Sequence, residues 1–123
     1  MGFPTGDSPR NGVFLFAEPS GYDAGTANFN ITERAGNYAL IEVTAMDDNR
    51  KEDVPMAIWL NGERIWEGPS PFSRQEPNSY VWVLQDPWML TGGLNVLSIS
   101  NTSAGGGFGE LSWLFVQKAT VYY

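Results

Sequence analysis

Met56-Ala57-Ile58-Trp59-Leu60-Asn61-Gly62-Glu63-Arg64-Ile65-Trp66-Glu67-Gly68 reads as a β-hairpin. Asn61-Gly62 is the strongest short-range signal for one, because a type I′ turn needs φ > 0 at both central residues and Asn and Gly bear that best. With those two residues as the whole loop, Leu60 faces Glu63, Trp59 faces Arg64, Ile58 faces Ile65 and Ala57 faces Trp66. Opposed residues share a face of the sheet, and successive residues alternate between faces. One face then holds Ile58, Leu60, Glu63 and Ile65 and supplies core. The other holds Ala57, Trp59, Arg64 and Trp66, two indoles beside a guanidinium. That face is either a second buried layer or a binding surface.

The flanking chain carries the same period. Tyr38 to Met46 alternates, with Ala39, Ile41, Val43 and Ala45 forming a wholly apolar phase that faces a core. Val13-Phe14-Leu15-Phe16-Ala17, Ala27 to Thr32 and Leu94 to Ser100 read as further strands, and residues 111–123 as one long strand or two short ones. Tyr80-Val81-Trp82-Val83-Leu84-Gln85 is apolar on both phases and reads as an inner strand covered on both sides. Residues 1–12 form an irregular arm. The stretch 68–79, with Pro69, Pro71 and Pro77, is a loop. Helical periodicity is nowhere sustained. Roughly eight short strands between turn signals make an all-β protein, an antiparallel β-sandwich or jelly roll.

At 123 residues the chain is expected to be a single domain spanning 1–123, with a sizeable core. Lys+Arg 7 against Asp+Glu 14 leaves a net charge of −7, which repels nucleic acid and anionic membrane and sets both aside as partners. The chain has no Cys and no His, which excludes disulfides, thiolate or imidazole metal sites, and Ser-His-Asp or Cys-His catalysis. The Gly105-Gly106-Gly107 run lacks the Lys-Ser/Thr of a phosphate-binding loop. The start of the chain has neither the basic nor the apolar region of a signal peptide, and no apolar run reaches membrane-span length. The chain reads as a module excised from a secreted protein or as a small protein not exported by that route.

Three stretches resemble the galactose-binding-domain-like β-sandwiches, which include many non-catalytic carbohydrate-binding modules and accessory domains of glycoside hydrolases. They are Gly36-Asn37-Tyr38-Ala39-Leu40-Ile41-Glu42-Val43, Ile58-Trp59-Leu60-Asn61-Gly62 and Leu90-Thr91-Gly92-Gly93-Leu94-Asn95-Val96-Leu97-Ser98-Ile99. They match that family's G-x-Y strand, x-L-N-G hairpin and L-x-x-G-x-N-x-L-x-I strand. The resemblance implies a jelly-roll fold and a non-catalytic role. The early acidic calcium site of many such modules has no match at Phe16-Ala17-Glu18, so a calcium cofactor stays unassigned.

Sugar rings present apolar C–H faces that stack on aromatic rings while neighbouring polar groups hold the hydroxyls. Trp59, Arg64 and Trp66 on one hairpin face would make such a platform, and Tyr80 and Trp82 would extend it if their strand adjoins. Trp113, after the glycine-rich loop, is a further rim candidate, and Trp88 after Pro87 caps a strand end. The alternative is that these rings are core, with Arg64 stacked on Trp59. Asp47, Asp48 and Glu52 in the charged stretch 47–53 are hard oxygen ligands and weak metal candidates. They lack the spacing of a calcium loop, and Arg50 and Lys51 sit among them, so a solvated loop is the simpler reading. Carboxylate-pair hydrolysis needs two placed acids, and nothing singles out two among Glu18, Glu42, Glu63, Glu67, Glu76 and Glu110, so no enzyme is expected.

The leading expectation is a carbohydrate-binding module that recognises a polysaccharide or glycan by aromatic stacking, in an extracellular setting. The alternative is a structural subunit of a larger assembly or homo-oligomer, a virion decoration or tail protein or a surface-layer component, whose aromatics bury against neighbouring subunits. A sandwich domain of a glycoside hydrolase that binds nothing itself is the third reading.

Overall fold

The structure is a computed structural model that describes residues 12–31, 39–48, 52–84, 86, 89–104 and 112–123. The arm 1–11, Gly36 to Tyr38, residues 49–51, Trp88 and residues 105–111 of the glycine-rich loop lie outside the described residues.

Eight strands run in the order β1 (Val13–Phe16), β2 (Ala24–Ile31), β3 (Leu40–Asp47), β4 (Pro55–Leu60), β5 (Glu63–Pro69), β6 (Asn78–Val83), β7 (Gly93–Asn101) and β8 (Trp113–Tyr122). Among the described residues helical structure is limited to 3-10 geometry at Glu18–Ser20 and at Met89. The strands form two antiparallel four-stranded sheets, ordered β1-β8-β3-β6 and β2-β7-β4-β5. This is the all-β sandwich expected, with the strand order of a jelly roll. The core lies between the sheets. Leu15, Ile41, Val43, Leu114 and Val116 of one sheet meet Met56, Ile58, Leu60, Leu97 and Ile99 of the other, all at most 1% exposed. The apolar phase expected of β3 is the buried one, since Ile41, Val43 and Ala45 are all 0% exposed.

The hairpin turn forms as read. Asn61 has φ 51° and Gly62 φ 84°, the conformation that makes glycine the natural second residue. Asn61 also does more than turn the chain. Its Nδ2 donates to the Met89 carbonyl (2.8 Å) and to Asn95 Oδ1 (2.9 Å), and its Oδ1 accepts the Val96 N–H (2.8 Å). Asn95, itself 0% exposed, accepts the Thr91 N–H (2.8 Å) and donates to the Thr91 carbonyl (2.9 Å). The Asn of one sequence motif is thus bonded to the Asn of another, which fastens the β4–β5 turn to the entry of β7.

The register of the hairpin differs from expectation beyond its first two pairs. Leu60 faces Glu63 and Trp59 faces Arg64, but then Ile58 faces Trp66 and Ala57 faces Glu67. Ile65 is an extra residue on β5, a β-bulge, and the alternation restarts one position later. Trp66 therefore lies on the Ile58 side, facing the core, and not beside Trp59. Ile65 and Trp66 both pack half-buried against the core.

A second correction concerns β6. It pairs only with β3 and is an edge strand. Val81 and Val83 stand 43% and 62% exposed on its outer face, so the strand is apolar on both phases without being covered on both. Tyr80 and Trp82 point inward, opposite Val43 and Ile41.

Candidate functional site

The edge strands β5 and β6 belong to different sheets and flank one open side of the sandwich. Between them is a cavity of about 470 Å³ whose walls include Arg64, Trp66, Tyr80, Trp82, Val83 and Met89. That volume lies within the about 300–1,000 Å³ common for small-ligand sites. Trp66 comes from one sheet, and Tyr80 and Trp82 from the other. The ring centroids of Trp66 and Trp82 are 5.3 Å apart, and those of Tyr80 and Trp82 are 4.8 Å apart. Phe72, 5% exposed, reaches in from the β5–β6 loop with its ring 6.0 Å from Trp82. Gly68 makes room for the Trp66 ring: a Cβ there would stand 3.0 Å from Trp66 Cζ2.

The polar groups of the cleft are few and have definite sources. Tyr80, 46% exposed, brings a phenol. Arg64 brings a guanidinium already paired with Glu67 at 2.7 Å, so its charge is balanced locally. Trp82 is 8% exposed, and its indole Nε1 is buried with no hydrogen-bond partner among the described residues. A buried donor left unpaired costs about 1–3 kcal/mol. Aromatic walls with a phenol and a charge-balanced guanidinium suit a ligand that has both apolar faces and hydroxyls.

Four of the six residues expected to form a site, Arg64, Trp66, Tyr80 and Trp82, therefore line one cavity. Trp59 does not join them. It lies half-buried on the outer face of its sheet, with Arg64 Cζ 5.9 Å from its ring centroid, the cross-strand stack expected of that pair. Trp113 sits on the outer face of the other sheet, its ring 5.4 Å from Phe14, which also packs 4.8 Å from Phe115. Gly68, Phe72 and Met89 were not singled out in the sequence. The Trp-x-Gly spacing of Trp66 and Gly68, which brings a ring beside a missing Cβ on one strand face, was the available signal for the first.

Asp47 and Asp48, at the start of the acidic stretch, are built into the fold. Asp47 and Asp48 are 0% and 1% exposed. Asp47 Oδ1 accepts the Asp48 N–H (2.7 Å), its Oδ2 accepts the Val54 N–H (3.2 Å), and Asp48 Oδ2 accepts the Trp113 N–H (3.1 Å). Burial raises the Asp47 pKa above 3.8, only partly offset by the hydrogen bonds from Val54, Ser70 and Asp48. These carboxylates tie the end of β3 to the starts of β4 and β8. Glu52 is exposed, and no group of three or more potential ligands gathers among the described residues.

No protein-family model matches the chain, and no curated protein matches its sequence. Solved structures do match over nearly its whole length. A family 35 carbohydrate-binding module from an environmental isolate aligns with a TM-score of 0.58 and 8% identity, covering 97% of this chain and 77% of that one. The C-terminal domain of EclA, a sugar-binding protein, aligns with a TM-score of 0.55 and 12% identity, covering 98% of this chain and 82% of that one. At such identities the likeness establishes the sandwich fold. Among the described residues, no helix is long and apolar enough to cross a membrane.

Proposed function

We propose that the chain is a non-catalytic carbohydrate-binding module whose β5–β6 cleft takes sugar rings of a neutral polysaccharide. The observation that carries this reading is the convergence of Trp66, Tyr80 and Trp82 from two sheets on one cavity. A pyranose stacks its C–H face on Tyr80 and Trp66. Its hydroxyls accept from Arg64 and exchange hydrogen bonds with the Tyr80 phenol. The named functions of the two structural neighbours support the same substrate class. A polysaccharide partner fits an extracellular setting. No carboxylate stands among the described residues lining the cleft.

Affinity electrophoresis against glucans, xylans, mannans and pectins tests the proposal. At least one neutral polymer should retard the protein, and Tyr80→Ala should restore its mobility. If no polymer retards it, or if Tyr80→Ala and Trp66→Ala both leave retardation intact, the reading falls.

The assembly reading has one observation in its favour. Phe14, Val81, Val83 and Tyr122, all 43–62% exposed, lie on the outer face of a single sheet. An apolar face of that kind suits contact with a neighbouring subunit. Light scattering separates the readings: a defined oligomer supports the assembly, and a monomer at all concentrations removes it.

A further inference from the structure

The sheet β2-β7-β4-β5 carries a second groove on its outer face, also of about 470 Å³, on the side opposite the Trp66 ring. Trp59 is the aromatic ring among its described lining residues, and Ser98, Ser100 and Thr102 supply hydroxyls beside it. The local sequence explains the arrangement. On β7, Leu97 and Ile99 face the core at 1% and 0% exposure, which turns Ser98 and Ser100 outward. Ser98 lies directly opposite Trp59, and Ser100 is flanked by Ala24 and Ala57. Short side chains thus pave the sheet beside one tall ring, and that difference in height makes the groove.

The ring is held in place. Trp59 Nε1 donates to Ser100 Oγ at 3.4 Å, and Arg64 stacks 5.9 Å from its centroid while paired with Glu67 at 2.7 Å. From Val96 to Ser100 the groove follows β7 for about 13 Å, at roughly 3.3 Å per residue, longer than a single sugar ring. Glu18 and Asp23 stand at one end as acceptors for hydroxyls and repel anionic ligands.

We infer that the Trp59 groove is a second binding site for a neutral polysaccharide chain, distinct from the β5–β6 cleft. The inference rests on the carbohydrate-binding reading above and adds a site to it. Arg64 belongs to the wall of the cleft and also covers Trp59, so the two sites adjoin at that residue. Two sites on one small domain grip a long polymer more tightly than either alone, because binding at one raises the effective concentration of chain at the other.

Two measurements test this together. Isothermal titration uses hexasaccharides of glucan, xylan and mannan, and affinity electrophoresis uses the parent polymers with a polyuronate as comparison. The wild type should bind two hexasaccharides per chain, and Trp59→Ala and Tyr80→Ala should each bind one. Ser98→Arg, which fills the groove beside Trp59 and leaves the ring present, should match Trp59→Ala and guard against a folding defect. On the polymer each variant should lose roughly tenfold or more in affinity, and the polyuronate should not compete. A wild-type stoichiometry of one that Tyr80→Ala abolishes and that Trp59→Ala and Ser98→Arg leave intact overturns the second site and preserves the cleft. A stoichiometry of one lost in Trp59→Ala and Ser98→Arg but kept in Tyr80→Ala preserves the groove and overturns the cleft. Absence of binding to every neutral sugar overturns both.

Discussion

Trp66 lies opposite Ile58 across the hairpin, and its ring meets that of Trp82, on the other sheet, at 5.3 Å. The two edge strands are thereby bridged by two tilted indoles, their planes 56° apart, where a sandwich would otherwise open to solvent. Trp66 packs against the core on one side and bounds the cleft on the other, so its position sets the width of the cleft as well as the seal of the core.

Gly68→Ala tests how closely that position is specified. The new methyl would stand 3.0 Å from Trp66 Cζ2, and the ring must tilt to admit it. Displacing a side chain from its rotamer costs about 0.5–1.5 kcal/mol. Urea unfolding should register a loss of that size, and retardation on the polymer bound by the wild type should weaken. Unchanged retardation with an unchanged tryptophan emission spectrum would show that the ring tolerates the methyl.

Trp82 separates stability from recognition. Trp82→Ala removes a buried ring at the centre of the aromatic cluster and should cost about 3–5 kcal/mol. Trp82→Phe keeps most of the packing and deletes the unpartnered N–H, so the loss of ring area is offset by relief of a buried donor. Its unfolding free energy should stay within about 1 kcal/mol of the wild type. Its affinity for polysaccharide should fall modestly, because a smaller ring lines the cleft wall.

Asn61 is predicted to be irreplaceable by its nearest analogue. In Asn61→Asp an oxygen replaces Nδ2 and faces the Met89 carbonyl and Asn95 Oδ1, both acceptors. Asn61→Gly keeps the positive φ and loses the side-chain bonds. Each variant should cost about 1–3 kcal/mol in urea unfolding. Since Met89 lines the cleft, both should also reduce polymer retardation.

Asp47 gives stability a pH signature. Its carboxyl titrates near 3.8 when unfolded, and burial raises that value in the fold, so the folded state holds the proton more tightly. Its contribution to stability is therefore fullest below pH 3.8 and declines as pH rises through the folded value. Asp47→Asn exchanges no proton, and it places an amide donor against the N–H of Asp48 or Val54, at a cost of about 1–3 kcal/mol. Melting temperatures of the two proteins, compared from about pH 3 to about pH 7, should draw closer as pH rises. A gap that widens with pH would contradict the raised pKa.

Much of the sandwich was legible because uninterrupted alternation transmits facing information faithfully. Ile41, Val43 and Ala45 face inward as their period requires, and Asn61-Gly62 makes its turn. The site was only half legible. Its residues were recognisable as aromatics without a compelling core pattern, but their grouping depended on parity counted from the turn. The extra Ile65 breaks that count, and a bulge answers to packing across sheets that local sequence does not encode. For the same reason the sequence could not separate Trp59 from Trp66. The exposed valines of β6 show another limit: apolar residues on both phases describe a surface, and sheet order decides whether anything lies over it.

Among the described strands, only β4 and β5 are neighbours both along the chain and within a sheet. β8, the last strand, lies between β1 and β3, and Val13 pairs with Val116, 116 − 13 = 103 residues further on. A chain emerging from the ribosome can close the 56–68 hairpin early, yet one sheet has no continuous interior until β8 arrives. Loop closure over such spans has to precede the contacts that reward it, which makes folding slow and leaves strand edges open to foreign pairing meanwhile. Shortening the chain within β8 would therefore not trim an edge but split a sheet through its middle.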